Sequence, residues 1–495
     1  MNISMLLQMS AQTFPSRIAL TYNSEHYSYK QIYDAAQQAA QVFQYSGCSF
    51  IAYLDVNTPA VPIAIFAAAI AGIPYVPLNY RLSKSELESL QARLDKAYVI
   101  SNQVPEFSLP DYTYQLTDAF YQNMLAAGET DEALHPATDS EESIAVQLFT
   151  SGTTGTPKAA LLQHKHLMSY ILNTVQFAAA AETDATLVSV PPYHIAGISA
   201  MLSSFYSGRR IVHMENFDAM EWISLCDREK VTQAFVVPTM LSEIMVKHKQ
   251  KRQSLDSLQA IAYGGGKMPL RTIEEALQRF PNVNFANAYG LTETSSTVCL
   301  LSPEQHREAF KSDRPEMRNR LQSVGKPVPG IELQIRNDEN QSLAAGQVGE
   351  VFLRGDQISG KYREKELVQY DGWFPTCDHG YIDKGGYLYL TGRADDIIVR
   401  GGENISPGEI EAVIRESPAI SDVAVVGIAD EHWGESIAAA IVLAEGHSIR
   451  DDEISVAVTE KLRSSRVPKK IVRMKHLPYN EMGKLLRRKV KLLLE

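Results

Sequence analysis

Helix-like and strand-like segments alternate through most of the first 300 residues, and this alternation is the feature that most constrains the fold. Strand-like runs at residues 51–56 and 75–78 flank an alanine-rich helical segment, and a run at residues 186–190 leads into a proline-containing loop. Strands that alternate with helices are typical of layered α/β domains, whose loops at the strand ends carry the chemistry. We therefore predict an α/β fold with a large, multi-layered N-terminal domain.

The last hundred residues have a different pattern. Residues 406–409 predict a capping box with proline at the first helical position. Two strand-like runs follow at residues 422–428 and 437–443, and a second helix is predicted to begin at Asp451 or Asp452. This pattern predicts a small α+β domain that folds separately.

Composition excludes several classes of protein. The 495-residue chain carries a formal net charge of −11, which argues against a nucleic-acid partner. Its four cysteines lack C-x-x-C spacing, so we expect no disulfide framework and a reducing, cytoplasmic location. Residues 60–78 carry no charge, but prolines interrupt them, so we predict a buried helix and strand there rather than a transmembrane segment. No basic region precedes the apolar stretch in residues 1–8, so no signal peptide is expected.

The first candidate binding motif is the stretch TSGTTGTPK at residues 150–158. Hydroxyl groups, the backbone N–H groups of flexible glycines and one ammonium group can surround a polyphosphate. The motif is not a Walker A loop, because Pro157 rather than glycine precedes Lys158, and Ala159 rather than a hydroxyl residue follows it. The alternative is a Ser/Thr/Gly-rich surface loop.

Three further motifs supply groups that fit a nucleotide. Residues 287–293, NAYGLTE, offer an amide and an aromatic ring for a purine and a carboxylate for Mg²⁺. Asp378 can accept hydrogen bonds from the ribose hydroxyls, and Arg393 can reach the same sugar or a phosphate. The third motif places Lys484 after a flexible glycine. Two of these motifs also have a structural alternative: Tyr289 as a core residue and Lys484 as a solvated charge.

The order and spacing of these motifs resemble those of the acyl-adenylate-forming superfamily, which contains acyl-CoA synthetases, luciferases and peptide-synthetase adenylation domains. The resemblance covers nearly the whole chain. It implies an ATP-, Mg²⁺- and CoA-dependent acid–CoA ligase that forms an acyl-AMP intermediate and releases AMP and pyrophosphate. It also implies an N-terminal domain of residues 1–394 and a small, mobile C-terminal domain of residues 395–495, with Asp395 as the hinge.

The resemblance assigns roles to individual residues. The candidate catalytic residues are Lys484, Thr292, Glu293 and His194, with Glu293 as the Mg²⁺ ligand. Lys484 is expected to bridge the substrate carboxylate and the α-phosphate. The expected nucleotide-binding and CoA-binding residues are Thr150, Ser151, Gly152, Thr153, Thr154 and Lys158 for the β- and γ-phosphates, Gly264, Gly265 and Gly266 beside adenine and the acyl group, Asn287 and Tyr289 for the base, Asp378 and Arg393 for ribose, and Gly401, Gly402 and Trp433 for the pantetheine tunnel.

Several alternatives stay open from the sequence. Residues 191–199 and 236–239 are expected to line the acyl pocket and contain no lysine or arginine, which favours a hydrophobic fatty or aryl monocarboxylate. The acid could instead be of the succinylbenzoate type, and the acceptor could be an amine or a carrier-protein thiol. The protein could also be a nucleotide-binding regulator without turnover, and it could form a homodimer. Trp433 is alternatively a packed core aromatic. Cys377 stands where the family usually has glycine.

Overall fold

The computed structural model describes most of the chain, and its residues pack into two compact units. The first unit contains Met1–Leu321, Pro327–Glu332 and Arg354–Phe374, and the second contains Gln322–Lys326, Leu333–Leu353 and Pro375–Glu495. The described residues are 1–104, 111–129, 134, 141–150, 157–251, 255–369, 371–393, 396–400, 403–430, 433–462, 464–480, 483 and 485–495.

Helices and strands alternate along the chain, as expected. The helices are α1 (Ser4–Thr13), α2 (Tyr29–Ser46), α3 (Ala60–Ala71), α4 (Lys84–Gln91), α5 (Thr117–Ala126), α6 (His164–Thr174), α7 (Ile195–Ser207), α8 (Ala219–Arg228), α9 (Pro238–Lys251), α10 (Leu270–Arg279), α11 (Pro303–Lys311), α12 (Pro315–Arg318), α13 (Pro407–Arg415), α14 (Asp451–Lys461) and α15 (Arg487–Leu494). The strands are β1 (Ile18–Tyr22), β2 (Glu25–Ser28), β3 (Phe50–Leu54), β4 (Tyr75–Pro77), β5 (Ala97–Ser101), β6 (Thr113–Leu116), β7 (Ile144–Thr150), β8 (Lys158–Gln163), β9 (Ala185–Val188), β10 (Arg210–His213), β11 (Gln233–Val236), β12 (Ala260–Gly264), β13 (Asn284–Leu291), β14 (Ser296–Leu301), β15 (Lys326–Pro327), β16 (Glu332–Arg336), β17 (Gly349–Arg354), β18 (Phe374–Ile382), β19 (Leu388–Arg393), β20 (Ile398–Arg400), β21 (Glu403–Ile405), β22 (Ile420–Asp430), β23 (Gly434–Leu443) and β24 (Lys470–Arg473).

Two mostly parallel sheets dominate the first unit. The larger sheet has the order β15-β14-β13-β12-β11-β9-β10-β1-β2, in which the strands from β13 to β1 run parallel and β14 and β2 pair antiparallel to their neighbours. The smaller sheet has the order β6-β5-β3-β4-β7-β8 and is parallel except for β8. Parallel strands joined by helices bring the ends of several strands to one edge, where ligands bind in such folds.

The charge-free segment at residues 60–78 forms the helix and strand predicted from its sequence. Every residue of α3 is buried, and β4 is buried along its length. In the described part of the chain, no helix combines the length and the apolar character needed to cross a membrane. The segment is therefore part of the core of the first unit.

The second unit contains the predicted α+β pattern. A four-stranded sheet has the order β16-β17-β18-β19, and a five-stranded sheet has the order β21-β20-β23-β22 with β24 beside β23. Helix α14 begins at Asp451, as expected. The predicted capping box is wrong, because the Ser406 side chain accepts no hydrogen bond from the first turn of α13. Its hydroxyl donates instead to the Thr391 carbonyl at 2.7 Å. Asp395 lies outside the described residues, so the division into residues 1–394 and 395–495 stays a prediction.

Cys377 occupies a backbone conformation that favours glycine. Its φ angle is +58° within β18, and its N–H donates to Glu350 Oε1 at 3.1 Å. A left-handed conformation costs a residue with a Cβ roughly 1–2 kcal/mol. Glycine avoids this strain but loses more backbone entropy on folding, so its net gain is smaller. We expect Cys377→Gly to raise the free energy of unfolding of the second unit by about 1 kcal/mol or less, measured by urea denaturation. Cys377→Ala, which removes the sulfur but keeps the Cβ, is the control, and an equal gain in both variants would contradict the strain.

Candidate active site

The close pairing of β12 with β13 brings two of the predicted motifs together. Gly264 pairs with Ala288, and a Cβ on Gly264 would lie 2.2 Å from the Ala288 carbonyl oxygen. Only glycine therefore permits this approach. Gly265 and Gly266 follow at the exposed end of β12, beside the strand that carries Asn287.

A short 3₁₀ turn after β13, at Thr292–Thr294, presents the candidate catalytic pair Thr292 and Glu293. The turn folds back tightly, since a Cβ on Gly290 would lie 1.9 Å from the Ser296 carbonyl oxygen. The Thr294 hydroxyl lies 2.8 Å from that same oxygen and holds the turn closed. The backbone of Glu293 is thus fixed at the carboxyl end of a parallel strand.

Asn287 and Tyr289 lie on one face of β13. Their exposed fractions are 9% and 8%, so both are buried. The buried position of Tyr289 agrees with its reading as a core residue, and contact of these two side chains with an adenine base stays a prediction.

The two ends of the candidate phosphate loop are paired. Thr150 ends β7, Lys158 begins β8, and the two residues are partners in the antiparallel register. This pairing places the residues on either side of the loop next to each other. Four predicted phosphate ligands fall outside the described residues: Ser151, Gly152, Thr153 and Thr154.

Two residues that the sequence analysis missed support this region. Tyr362 donates its hydroxyl hydrogen to Glu293 Oε1, and its ring centroid lies 5.7 Å from Lys158 Nζ. Arg93 donates to the Pro157 carbonyl at 2.6 Å, lies over the ring of Phe149 at 5.0 Å and pairs with a neighbouring glutamate. No local motif marks either residue, because both act through contacts distant in sequence.

His194 lies directly before α7, a helix that contacts the strand after the same turn. The Ser296 hydroxyl donates to Ser199 Oγ at 2.9 Å and so ties α7 to the strand that follows Glu293. The His194 ring packs against Tyr193 at 4.5 Å, and its Nε2 is buried without a hydrogen-bond partner among the described residues. Burial lowers the pKa of His194 to about 4, and the positive charge of Arg81 acts in the same direction. The imidazole is therefore neutral at pH 7.

Asp378 and Arg393 lie together in the second unit, as their proposed common role requires. The antiparallel register of β18 and β19 pairs the two residues, and Arg393 Nη1 lies 3.1 Å from Asp378 Oδ1. Their contact with a ribose stays a prediction.

Trp433 is not a packed core aromatic. Its side chain is 47% exposed, and the Arg400 guanidinium lies 5.5 Å from its ring centroid. Such an exposed ring is available to a ligand. Three other predicted site residues lie outside the described part of the chain: Gly401, Gly402 and Lys484.

Family membership follows from comparison with known proteins. The AMP-binding enzyme family matches residues 7–363, and the AMP-binding enzyme C-terminal domain matches residues 409–484. The chain belongs to the AMP-binding enzyme family.

Relatives match this AMP-binding enzyme over nearly its full length. The 2-succinylbenzoate–CoA ligase of Bacillus velezensis is 31% identical, covering 97% of this chain and 96% of that protein. The indoleacetate–CoA ligase of Aromatoleum aromaticum is 29% identical, covering 98% and 96%. The solved structure of o-succinylbenzoate CoA synthetase from Bacillus subtilis, in complex with its acyl-adenylate intermediate, matches with a TM-score of 0.82 at 28% identity, covering 98% of this chain and 97% of that chain. The predicted family and α/β fold are confirmed.

The donor set of this AMP-binding enzyme fits Mg²⁺. Among the described residues, no group of three or more His, Cys, Asp or Glu side chains converges on a metal position. Mg²⁺ is often held by one or two carboxylates together with substrate phosphates, and Glu293 is a single carboxylate beside the phosphate loop. Glu293 would thus hold Mg²⁺ together with the triphosphate, where the ion would offset negative charge.

Arg93 provides a test of the phosphate-loop assignment. Arg93→Lys keeps the charge but loses the stacked guanidinium that bonds to Pro157, so the end of the loop should loosen. We expect the KM for ATP to rise about three- to tenfold with kcat little changed, since roughly one hydrogen bond is lost. Steady-state kinetics with varied ATP measures this. The control is Arg271→Lys on an exposed helix face, and an equal change in both variants would contradict the assignment.

Buried histidines should make the first unit less stable as the pH falls. Burial lowers the pKa of each to about 4, below the ordinary 6.5 expected in the unfolded chain. The unfolded state therefore binds more protons between these values, and stability is lost as the pH falls from about 6.5 to about 4, with each histidine contributing up to about 1.4 kcal/mol per pH unit. These histidines are His164, His166, His194, His213 and His306.

His166 offers a conservative test of this pH dependence. It accepts from the Gln163 N–H at 3.2 Å at the start of α6, a position where glutamine also completes a capping box. We expect His166→Gln to reduce the slope of unfolding free energy against pH near pH 5. The reduction should correspond to about one fewer proton taken up on unfolding. Urea denaturation from pH 7 to pH 4.5, followed by tryptophan fluorescence, measures the slope. An unchanged slope would show that His166 is already protonated in the folded state.

Proposed function

We propose that this AMP-binding enzyme is an acid–CoA ligase for a hydrophobic monocarboxylic acid, fatty or aryl. It activates the acid with ATP as an acyl-AMP and transfers the acyl group to CoA, releasing AMP and pyrophosphate. The observation that carries the proposal lies within the first unit. There Tyr362 contacts both Lys158 and Glu293, and helix α7, which follows His194, is bonded through Ser199 to the strand after the turn that carries Glu293.

The reaction class agrees with the relatives. The matching proteins include CoA ligases for succinylbenzoate and indoleacetate, and a related synthetase has been solved with ATP and a magnesium ion. The prediction of an AMP-forming acid–CoA ligase that uses ATP, Mg²⁺ and CoA is thereby confirmed. Its cytoplasmic location and its assembly as a homodimer stay predictions.

The first half-reaction needs positive charge near the phosphates and a site closed to water. A carboxylate oxygen of the acid attacks the α-phosphorus, and pyrophosphate leaves. We assign Lys158, at the end of the loop, to hold the leaving phosphates, and Thr292 to donate to the α-phosphate. Lys484 is proposed to stabilise the negative charge that develops between the acid and the α-phosphate. These roles rest on the placement of Thr292 and Lys158 and on the family resemblance for Lys484.

The second half-reaction exchanges AMP for a thiol. The CoA thiol attacks the acyl carbonyl, and AMP leaves with the oxygen that came from the acid. We assign Trp433 to the pantetheine chain, since its ring is exposed and lies near Arg400. A cation beside an exposed aromatic ring suits a ligand that has both a phosphate and an apolar chain.

Aromatic side chains around His194 favour an apolar acyl group. Tyr80 packs edge to face against Tyr193 at 5.4 Å, and Tyr193 packs against His194. A neutral imidazole can donate or accept a hydrogen bond without placing a full charge beside the acyl chain. These contacts support a hydrophobic or aryl monocarboxylate.

Arg81 favours a second candidate, an aryl acid with a second carboxylate. The two segments expected to line the acyl pocket contain no lysine or arginine, but Arg81 lies near enough to lower the pKa of His194. Its guanidinium bonds to Asn216 Oδ1 at 3.0 Å and lies over the Tyr80 ring at 5.3 Å. An exposed arginine held in this way can bind a carboxylate in two-point fashion.

An acid panel tests both candidates. Purified enzyme is given ATP, Mg²⁺, CoA and, in turn, fatty acids of graded length, benzoate, indoleacetate and 2-succinylbenzoate, and pyrophosphate release is measured. For a monocarboxylate enzyme, Arg81→Gln should leave kcat/KM unchanged. For a dicarboxylate enzyme, it should lower kcat/KM about 10- to 100-fold for the diacid alone, the value of a charged hydrogen bond. Arg271→Gln is the matched surface control.

The acceptor is tested with the best acid from the panel. CoA, a simple amine and an acyl-carrier protein are offered in turn, and product is identified by mass spectrometry. The proposal requires acyl-CoA as the main product. Amide or acyl-carrier product without acyl-CoA would contradict the assigned acceptor, and no pyrophosphate release with any acid would contradict the proposed function.

A further inference from the structure

Tyr362 occupies a position that the backbone fixes from the side of the phosphate loop. The residue forms an antiparallel bridge with Ala160 in β8, the strand that begins with Lys158. Beside this bridge, the Leu161 N–H donates to the Lys361 carbonyl at 2.9 Å. The segment that carries Tyr362 therefore behaves as an added strand on the edge of β8.

The same segment holds the backbone of the turn that carries Glu293. The N–H groups of Ser359 and Gly360 both donate to the Glu293 carbonyl, at 2.9 and 3.1 Å. The side-chain amide of Gln357 donates to the Thr294 carbonyl at 3.0 Å. One short segment is thus bonded both to the strand that begins with the loop lysine and to the turn that carries the carboxylate.

The Tyr362 side chain contacts two groups of opposite charge. It is 9% exposed, its hydroxyl donates to Glu293 Oε1, and its ring faces Lys158 Nζ at 5.7 Å. In the described part of the chain, neither Lys158 nor Glu293 forms an ion pair. A direct Lys–Glu ion pair would compete with phosphate for the ammonium and with Mg²⁺ for the carboxylate. A phenol is a neutral donor and leaves the carboxylate charged.

We propose that Tyr362 is a positioning residue, which orients the Glu293 carboxylate for Mg²⁺ and keeps the Lys158 ammonium apart from that carboxylate and available to the triphosphate. This inference rests on the proposed ATP-dependent function. Tyr362 itself touches no reacting atom. Its hydroxyl acts on the metal through Glu293, and its ring acts on the phosphates through Lys158, so the two parts of the side chain can be tested separately.

Nucleotide binding tests the proposal without knowledge of the acid. Isothermal titration calorimetry gives the ATP affinity of the full-length enzyme in Mg²⁺ and in EDTA. We expect Tyr362→Phe to lower the ratio of ATP affinity in Mg²⁺ to that in EDTA about tenfold, which is the effect of one hydrogen bond to a charged group. Binding in EDTA should be unchanged. Tyr362→Leu, which also lacks the ring, should weaken binding in EDTA as well.

Two controls separate positioning from a general structural effect. Tyr22→Phe removes a comparable bond, from Tyr22 to Glu215 at 2.6 Å elsewhere in the first unit, and should change neither affinity. In a Glu293→Gln background, Tyr362→Phe should have no further effect on the Mg²⁺-dependent gain, because its partner is already altered.

The outcomes distinguish this inference from the proposed function. A Tyr362→Phe enzyme that keeps the full Mg²⁺-dependent gain overturns the inference alone, as does an undiminished effect of Tyr362→Phe in the Glu293→Gln background. Failure of the unsubstituted enzyme to bind ATP overturns the proposed function and the inference together. Loss of the gain in Tyr362→Phe but not in Tyr22→Phe supports the inference.

Discussion

The close approach of β12 to β13 is the constraint on which the candidate site depends. It requires that Gly264 have no side chain, because a Cβ would overlap the Ala288 carbonyl. The tight return after β13 places the same demand on Gly290. With both glycines in place, the turn that carries Glu293 lies at the carboxyl end of the parallel strands, where open α/β sheets bind their ligands.

Among the described residues, Lys158 and Glu293 are held in place by the backbone contacts of their elements rather than by an ion pair. Lys158 begins one strand and Glu293 lies in the turn after another, and the segment that carries Tyr362 is hydrogen-bonded to both elements. Polar groups fixed before the substrate arrives need little reorganisation when charge develops, which is the main source of electrostatic catalysis. His194, which we propose lies beside the acyl chain, is kept neutral by burial.

Local sequence patterns predicted the elements and the motifs, whereas long-range contacts were not predictable. Asp378 and Arg393 were expected together, and adjacent antiparallel strands pair them. Tyr362 and Arg93 carry no local signal, since their partners Glu293 and Pro157 lie more than sixty residues away. The capping box predicted at residues 406–409 is not formed, and the Ser406 hydroxyl instead donates to the carbonyl of Thr391, fifteen residues upstream. Sequence patterns report on residues that are neighbours along the chain, whereas the hydrogen-bond partners of Tyr362, Arg93 and Ser406 are set by tertiary contacts.

The central claim is that the acid is activated by transfer of AMP to its carboxylate. The most direct measurement uses a substrate acid labelled with ¹⁸O in both carboxylate oxygens, with ATP, Mg²⁺ and CoA, and examines the products by mass spectrometry. In the proposed route the attacking oxygen stays with AMP when the thiol displaces it, so AMP should gain one ¹⁸O atom per turnover and pyrophosphate none. Label in pyrophosphate, or AMP without label while acyl-CoA accumulates, would contradict the account.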